Sequence, residues 1–183
     1  MKIFLLDGHP EANQEGYDSY LRALVNSLTS KNHVIKKSSI REQTIKFCTG
    51  CWSCWLKTPG ECIFKDDSQA ICRDYLNADF VLFASPIIMG FTSALLKKAQ
   101  DKMIPLVHPY IEFVQGECHH KKRYPHYPKV GLLLHKSENA DEEDIQIITT
   151  IFQRFVLNLR SEYCFTTTTD QAVEEVCDAI NAL

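Results

Sequence analysis

The sequence predicts an α/β fold, a three-layer sandwich in which five parallel strands form one sheet with helices on both faces. Five apolar, β-rich segments alternate with segments whose apolar residues recur every three or four positions. The strands around Phe80 and Leu132 are nearly continuous apolar runs, which is typical of strands buried on both faces. The chain has 183 residues, of which 45% are apolar and 23% charged, so it can form one full core.

The five strand segments end at turns or polar stretches. They are predicted over residues 2–6, 33–40, 79–84, 129–135 and 162–169. The first strand is expected to stop at the turn residues 7–10, and the third at Ser85-Pro86. The second is the weakest prediction, because only Val34 and Ile35 give it an apolar pair.

Amphipathic helices are predicted after each strand. Their apolar positions are Tyr20, Leu21, Leu24, Val25 and Leu28; Ile71, Tyr75 and Leu76; Leu95, Ala99 and Met103; Ile145, Ile148, Phe152, Phe155 and Leu159; and Val173, Val176, Cys177 and Ile180. Asp66-Asp67 is expected to cap the second helix, and Thr92-Ser93 to open the third. Alternation of this kind requires crossover connections, and five such units suit the flavodoxin-like strand order 2-1-3-4-5.

The whole of residues 1–183 is expected to form a single domain with a long insertion at about 107–128. Within it, the segment 118–124 is the densest positive patch of the chain. The patch would suit the extra phosphate of NADPH, a metal bound by Cys118, His119 and His120, a contact with a neighbouring subunit, or a solvated loop. The sequence leaves these readings open.

Composition limits the partners and the compartment. The formal net charge of −3 gives no reason to expect nucleic acid or an anionic membrane as partner. No apolar run approaches the ~20 residues of a membrane helix, and the apolar start is too short for a signal peptide. We therefore expect a cytoplasmic protein, in which eight cysteines serve as thiols, metal ligands or redox groups.

Four of the cysteines form one tight cluster with the spacing C-x2-C-x2-C-x7-C, at Cys48, Cys51, Cys54 and Cys62. A four-iron cluster takes four thiolates, three of which commonly come from a C-x2-C-x2-C turn. Zinc uses the same kind of ligand set, and a loop of reduced cysteines that binds nothing is the third reading. Spacing alone does not choose among them.

Two loops are predicted at the point where the strand order of the sheet reverses, which is where ligands bind in such sheets. The first, residues 8–18, precedes a helix whose amino end offers N–H groups to a phosphate. Side-chain donors would come from His9, Asn13, Tyr17 and Ser19. An ordinary polar turn is the alternative, because this loop contains acidic residues and no Lys or Arg. The cysteine loop follows the second strand, so it is expected on the same edge.

The second loop, residues 85–93, is expected to border a flat ligand. Pro86 sets a bend, and Gly90 lets the backbone approach a ring closely. The apolar residues Ile88, Met89 and Phe91 would suit the edge and face of an isoalloxazine. A generic turn from strand to helix is the alternative.

The second loop resembles a known family signature. Ser85-Pro-Ile-Ile-Met-Gly90-Phe-Thr-Ser93-Ala-Leu-Leu-Lys97, followed by Asp101-Lys102, is similar to the S-P-x-Y-x-G-x-x-S-x-x-L-K…D-R signature of the NADPH-dependent FMN reductases. The four cysteines, with the pair Asp66-Asp67, resemble those of the iron–sulfur flavoproteins of that superfamily, in which cysteines at comparable spacing hold a [4Fe-4S] cluster near FMN. The resemblance covers roughly residues 1–136.

The resemblance implies a flavodoxin-like fold, bound FMN and a homodimer or homotetramer. Carried over by position, the ring contacts would be Pro86, Ile87, Ile88 and Gly90, and the phosphate contacts Gly8, Pro10 and Asn13. Three places depart from the family. The first loop reads Gly8-His9-Pro10-Glu11 where the family has G-S-P-R, Ile88 replaces a Tyr, and the fourth loop, residues 135–143, is acidic without a flavin signature.

Two classes of function follow from these expectations. The first is an FMN-dependent oxidoreductase that passes electrons from NAD(P)H to a quinone, a second flavin or an electron-transfer protein, with or without a [4Fe-4S] cluster as relay. In it the flavin carries the chemistry, so no catalytic side chain is required. The second is a non-catalytic electron carrier or a zinc-stabilised binding module on the same scaffold.

Overall fold

The computed structural model describes residues 1–137 and 139–183; Glu138, in the acidic fourth loop, lies outside them. The strands are β1 Lys2–Asp7, β2 Val34–Ser39, β3 Phe80–Ile88, β4 Phe91–Thr92, β5 Val107–Val114, β6 Glu117–Lys122, β7 Lys129–His135 and β8 Glu162–Thr168. The helices are α1 Glu15–Ser30, α2 Ser53–Leu56, α3 Ser68–Asn77, α4 Ala94–Asp101, α5 Glu142–Asn158 and α6 Val173–Asn181.

Five of these strands form the predicted parallel sheet. Their order is β2-β1-β3-β7-β8, which is the expected order 2-1-3-4-5 when only the parallel strands are counted. The central strand β3 is buried along almost its whole length, as its apolar run predicted. Loops after β1 and β3 therefore meet at the carboxyl end of the sheet, on either side of the switch in strand order.

Helices cover both faces of the sheet and create two apolar cores. One core packs α1 and α6 against the sheet, through residues such as Leu24 and Ile180. The other packs α3, α4 and α5, through residues such as Tyr75, Leu96 and Phe152. Among the described residues, no helix is both long and apolar enough to cross a membrane.

The third strand does not stop at Ser85-Pro86 as expected. It continues to Ile88, turns at Met89-Gly90 and pairs antiparallel with β4. Proline is tolerated here because β1 pairs with β3 only as far as Ala84, so Pro86 has a strand partner on one side alone. The sheet thus gains a sixth strand that the sequence did not reveal.

The segment predicted as a long insertion folds into the antiparallel hairpin β5–β6. Two ion pairs join this hairpin to the end of α5. Arg154 lies 3.0 Å from Glu117, and Arg160 lies 3.2 Å from Glu112. The hairpin therefore packs beside the carboxyl end of α5.

Polar side chains fix the ends of the helices and of the cysteine loop. Ser93 caps α4 by accepting a hydrogen bond from Leu96 N at 3.0 Å, as predicted. Asp67 stands at the cap position of α3 but makes no side-chain cap. Its carboxylate accepts instead from Thr44 N at 2.7 Å, so it closes the base of the cysteine loop.

Candidate functional site

A buried carboxylate, Asp7, organises the carboxyl end of β1. It is fully inaccessible to solvent and accepts hydrogen bonds from Tyr17 Oη at 2.9 Å and from His9 N at 3.0 Å. Its second oxygen accepts from Ser39 Oγ at 3.1 Å and from Arg41 Nη1 at 3.0 Å. Burial alone would raise the pKa of Asp7, but these hydrogen bonds and the nearby cations outweigh it and lower the pKa.

Arg41 supplies the positive charge that the first loop lacks in sequence. It follows β2, yet its guanidinium lies 3.5 Å from the carbonyl oxygen of His9 and 4.0 Å from the carboxylate of Asp18. Sequence reasoning missed Arg41 because it lies on a different crossover unit. Pairing of β1 with β2 along their full length, to Asp7 opposite Ser39, brings it to the first loop.

Gly8 joins three elements at the start of the first loop. Its N–H donates to Ala84 O at 2.8 Å, and its carbonyl accepts from Ser93 Oγ at 2.5 Å. A Cβ at this position would lie 2.7 Å from Leu96 Cβ, so only glycine lets the loop pack on α4. The two predicted ligand loops are therefore held together at this point.

The residues predicted to contact the phosphate fall into two groups. Pro10, Asn13 and Ser19 are exposed around the amino end of α1, where a phosphate would lie. Tyr17, by contrast, is fully buried, and its hydroxyl proton is committed to Asp7. The acidic residues still argue against a phosphate here, because the Asp18 carboxylate already accepts a hydrogen bond from Gln14 N at 3.1 Å.

Three aromatic rings, from the first loop, α1 and the end of β7, lie in a row. The His9 ring lies 4.8 Å from Tyr17, and Tyr17 lies 5.4 Å from His135. Burial lowers the pKa of His135, and the nearby His9 lowers it further. His135 Nδ1 is also 2.8 Å from Thr169 Oγ1. The fourth loop thus contributes His135, which the sequence did not single out.

The second loop places its apolar tip in solvent. Ser85, Pro86 and Ile87 are buried, whereas Ile88 is 42% exposed and Met89 is 99% exposed. Ser85 Oγ accepts from Ser93 N at 2.9 Å and so orders the base of the loop. The exposed tip is the part available to a ring-shaped ligand.

The turn itself explains Gly90. Met89 and Gly90 have φ values of +51° and +73°, the signature of a type I′ hairpin turn, for which glycine is favoured. A Cβ on Gly90 would also lie 2.8 Å from Asp144 Oδ1. Approach of a flat ligand is therefore not needed to account for this glycine, although Phe91 beside it stays half-buried next to the tip.

All four clustered cysteines line one cavity of about 400 Å³. Cys48 and Cys51 are exposed, Cys62 is half-buried and Cys54 is buried. Burial raises the pKa of Cys54, and its thiol neighbours Cys62 and Cys48 raise it further. Hydrogen bonds from Ser53 lower the pKa of Cys51. Four aromatic residues, Trp52, Trp55, Phe64 and Phe155, also line the cavity.

The chemistry of this donor set fits a metal centre. Four thiols around one cavity are the ligands that a four-iron cluster takes, and also those of a structural zinc site. The sulfurs are not drawn together, since the described part of the chain holds no group of three or more His, Cys, Asp or Glu within metal-binding reach of one another. The loop presents the ligands in an open arrangement.

The residues that line the cysteine cavity include none from the two ligand loops. The cavity is bordered by residues 100–105, at the end of α4, and by Phe155, Asn158 and Leu159, at the end of α5. Along the chain, the helix α4 separates this border of the cavity from the second ligand loop. The 8 residues of α4 alone span about 12 Å.

Lys102 contributes a buried cation at the wall of this cavity. Its Nζ donates to Cys62 Sγ at 3.0 Å and lies 3.1 Å from Asp66 Oδ2. Burial alone would lower the pKa of Lys102, but these two hydrogen bonds outweigh it and raise the pKa. No local sequence pattern predicts this contact, because 40 residues separate the lysine from Cys62.

The basic segment 118–124 is mostly engaged in structure. Arg123 donates to Pro105 O at 2.9 Å and to Val107 O at 3.2 Å. The His120 ring lies 5.0 Å from Trp55, and His119 lies 3.0 Å from Glu117. These side chains secure the base of the hairpin and its contact with the cysteine loop.

Comparison with known proteins finds partial matches to iron–sulfur flavoproteins. No family model matches the chain. An iron–sulfur flavoprotein of Archaeoglobus fulgidus is 33% identical over 88 residues, which cover 48% of this chain and 39% of that protein. An iron–sulfur flavoprotein of Methanocaldococcus jannaschii is 29% identical over 102 residues, 56% of this chain and 50% of the relative. The resemblance to the iron–sulfur flavoproteins is confirmed. The matched part spans half or less of these two relatives.

Solved structures confirm the flavodoxin-like fold. An NAD(P)H:quinone oxidoreductase from Methanothermobacter marburgensis superposes with a TM-score of 0.63 at 16% identity, covering 99% of this chain and 93% of the other. An FMN-dependent NADH-azoreductase from Bacillus anthracis, solved with FMN, gives a TM-score of 0.64 at 10% identity, covering 97% and 92%. At these identities the likeness concerns the fold.

Proposed function

We propose that this chain is an FMN-dependent oxidoreductase that takes electrons from NAD(P)H and can hold a [4Fe-4S] cluster. The observation that carries the proposal is that four cysteines line one cavity in a flavodoxin-like fold. The similarity to iron–sulfur flavoproteins supports the same reading. Electron acceptors of the proposed class are quinones, a second flavin or an electron-transfer protein.

The ligand loops would bind FMN at the carboxyl end of the sheet. The exposed tip of the second loop, Ile88 to Phe91, offers apolar side chains to the ring. The amino end of α1 offers N–H groups to the phosphate, and Arg41 offsets part of the negative charge around it. Bound FMN would accept hydride from the nicotinamide and pass electrons on. The protein has only to position the ring and leave one face open.

The cysteine cavity would hold the cluster through Cys48, Cys51, Cys54 and Cys62. Two of these four thiols, Cys48 and Cys51, are exposed to solvent, and solvent exposure is one of the factors that set a cluster's reduction potential. A zinc site is the competing reading of the same donors. Iron and sulfide analysis of protein purified without oxygen decides between them.

FMN binding is tested by titrating apoprotein with FMN and following flavin fluorescence. Ile88→Glu puts a carboxylate on the apolar tip, so we expect its affinity for FMN to fall at least tenfold, ~1.4 kcal/mol or more. Ile147→Glu is the matched control, because Ile147 is 46% exposed against 42% for Ile88 and lies on the outer surface of α5. The control should bind FMN like the wild type.

The results of these measurements distinguish an FMN-dependent oxidoreductase from a zinc-stabilised binding module. A wild-type protein without affinity for FMN would overturn the oxidoreductase proposal. Tightly held zinc together with that result would favour the binding module. Equal loss in both glutamate variants would mean that added charge alone, not the loop, weakens binding. Sedimentation of the flavin-loaded protein tests the homodimer or homotetramer that the resemblance implies.

A further inference from the structure

Lys102 is a fully buried lysine that contacts one of the proposed metal ligands, Cys62, and has no part in the proposed flavin site. Its side chain is 1% exposed, and the Asp66 side chain beside it is 2% exposed. A buried ammonium is costly unless it is paired and hydrogen-bonded. Here the partners are one carboxylate, at 3.1 Å, and one cysteine sulfur, that of Cys62, at 3.0 Å.

The ammonium is held in a defined position. Asp66 Oδ2 accepts from Lys46 N at 3.0 Å, and Oδ1 accepts from Ser68 N at 3.0 Å, so backbone on both sides of the cysteine loop fixes this carboxylate. The Phe64 ring lies 5.4 Å from Nζ on the same wall. The end of α4 is rigid, because the Lys102 N–H bonds back to Ala99 O at 3.1 Å. The charge cannot move away from Cys62 without breaking these contacts.

We propose that Lys102 is a positioning residue for the metal centre, which orients the Cys62 sulfur and sets the reduction potential of the bound cluster. This inference rests on the proposed function. Hydrogen bonds to ligand sulfurs and the net charge around a cluster are among the factors that determine its potential. One-electron reduction adds a negative charge to the cluster, so a fixed cation beside a ligand sulfur favours the reduced form and raises the potential.

The competing explanation is purely structural. In it, Lys102 and Asp66 form a buried ion pair that ties the cysteine loop to α4, and the distance to Cys62 has no consequence for the cluster. Both explanations predict that removing the lysine affects stability. Only the positioning role predicts a change in reduction potential in protein that keeps its fold and its iron.

The experiment uses full-length protein reconstituted anaerobically with ferrous iron and sulfide. Lys102→Gln removes the charge, and the double variant Lys102→Gln/Asp66→Asn removes both charges so that no buried carboxylate is left unpaired. Lys65→Gln is the control, because Lys65 belongs to the same loop but its side chain is 74% exposed and pairs with Glu61. Iron per chain, circular dichroism and the midpoint potential are measured for each.

We expect the one-electron equilibrium constant to shift at least tenfold toward the oxidised cluster in Lys102→Gln, which is about 59 mV. The double variant should shift less, because it also loses the negative charge of Asp66. Lys65→Gln should match the wild type. Loss of iron from both Lys102 variants, with Lys65→Gln keeping its iron, would favour the structural explanation, in which the ion pair holds the cysteine loop to α4, over a role in setting the potential.

The role of Lys102 and the presence of a cluster can be refuted separately. An iron-loaded wild type whose potential is unchanged by Lys102→Gln and by the double variant would overturn the role of Lys102 alone, and so would an equal shift in Lys65→Gln. A wild type that takes up no iron would overturn the proposed cluster itself.

Discussion

The hydrogen bonds of Asp7 hold together the elements around the proposed flavin crevice. Its carboxylate is inaccessible to solvent and is satisfied by donors from the first loop, from α1 and from the end of β2. A buried carboxylate without such donors would cost several kcal/mol and would take up a proton instead. Tyr17 and Arg41 therefore support the crevice indirectly. Both donate hydrogen bonds to Asp7, which in turn holds the first loop in its shape.

Tyr17→Phe is expected to destabilise the protein by about 1.5–3 kcal/mol, because it removes a hydrogen bond to a buried charged group. Urea unfolding measures the change in free energy of unfolding. Tyr20→Phe is the control on the same helix, since the Tyr20 hydroxyl is buried without a hydrogen-bond partner among the described residues. Equal losses in the two variants would contradict the role given to Tyr17.

The effect of Tyr17→Phe should also depend on pH. The pKa of Asp7 is lowered in the folded state, so its stabilising contribution is present above the ordinary carboxyl pKa of about 3.9 and is lost as the pH falls through the folded value. The difference between wild type and variant should therefore shrink below about pH 4. A difference that stays constant down to acid unfolding would exclude Asp7 as the partner that matters.

At the scale of elements, periodicity predicted the regular part of the fold and missed the rest. The apolar runs and helical spacings identified all five parallel strands and their helices. The hairpin turn at Met89-Gly90 was missed, because β4 has only 2 residues and two residues show no period. The hairpin β5–β6 was missed because β5 contains Pro109 and its exposed and half-buried residues do not alternate strictly.

The two hairpins offer a matched pair of glycines. Gly90 and Gly116 both have positive φ, +73° and +86°, so alanine at either should cost about 1–2 kcal/mol in backbone strain. A Cβ at Gly116 meets nothing within 4 Å, whereas one at Gly90 lies 2.8 Å from Asp144 Oδ1. Moving Asp144 disturbs the capping box of α5, which adds roughly 0.5–1 kcal/mol.

Urea unfolding of Gly90→Ala and Gly116→Ala measures both costs, and the difference between them isolates the Asp144 contact. We expect Gly90→Ala to be the less stable of the two. If it were no worse than Gly116→Ala, the packing of the second loop against α5 would not constrain the turn. The glycine would then need another explanation, such as a bound ring.

At the scale of the whole molecule, the topological rule placed the two ligand loops but not the cysteines. Gly8 and Ser93 meet as the strand order predicts, since the loops that carry them follow neighbouring strands. The cysteine loop starts at the same edge, but it is long enough to reach the ends of α4 and α5. Its path depends on contacts such as Lys102 with Cys62, which no local pattern encodes.

This separation predicts that the two proposed cofactors can be lost independently. Cys51→Ser should abolish iron binding while FMN affinity stays at the wild-type value, because Cys51 is exposed and the cavity that it lines includes no residue of the ligand loops. Ile88→Glu should weaken FMN binding and leave the iron content unchanged. Cys118→Ser, at an exposed cysteine of the β5–β6 hairpin, is the control for both measurements. Loss of both cofactors in either single variant would mean that the sites are coupled, and the crevice and the cavity could then not be treated as separate centres.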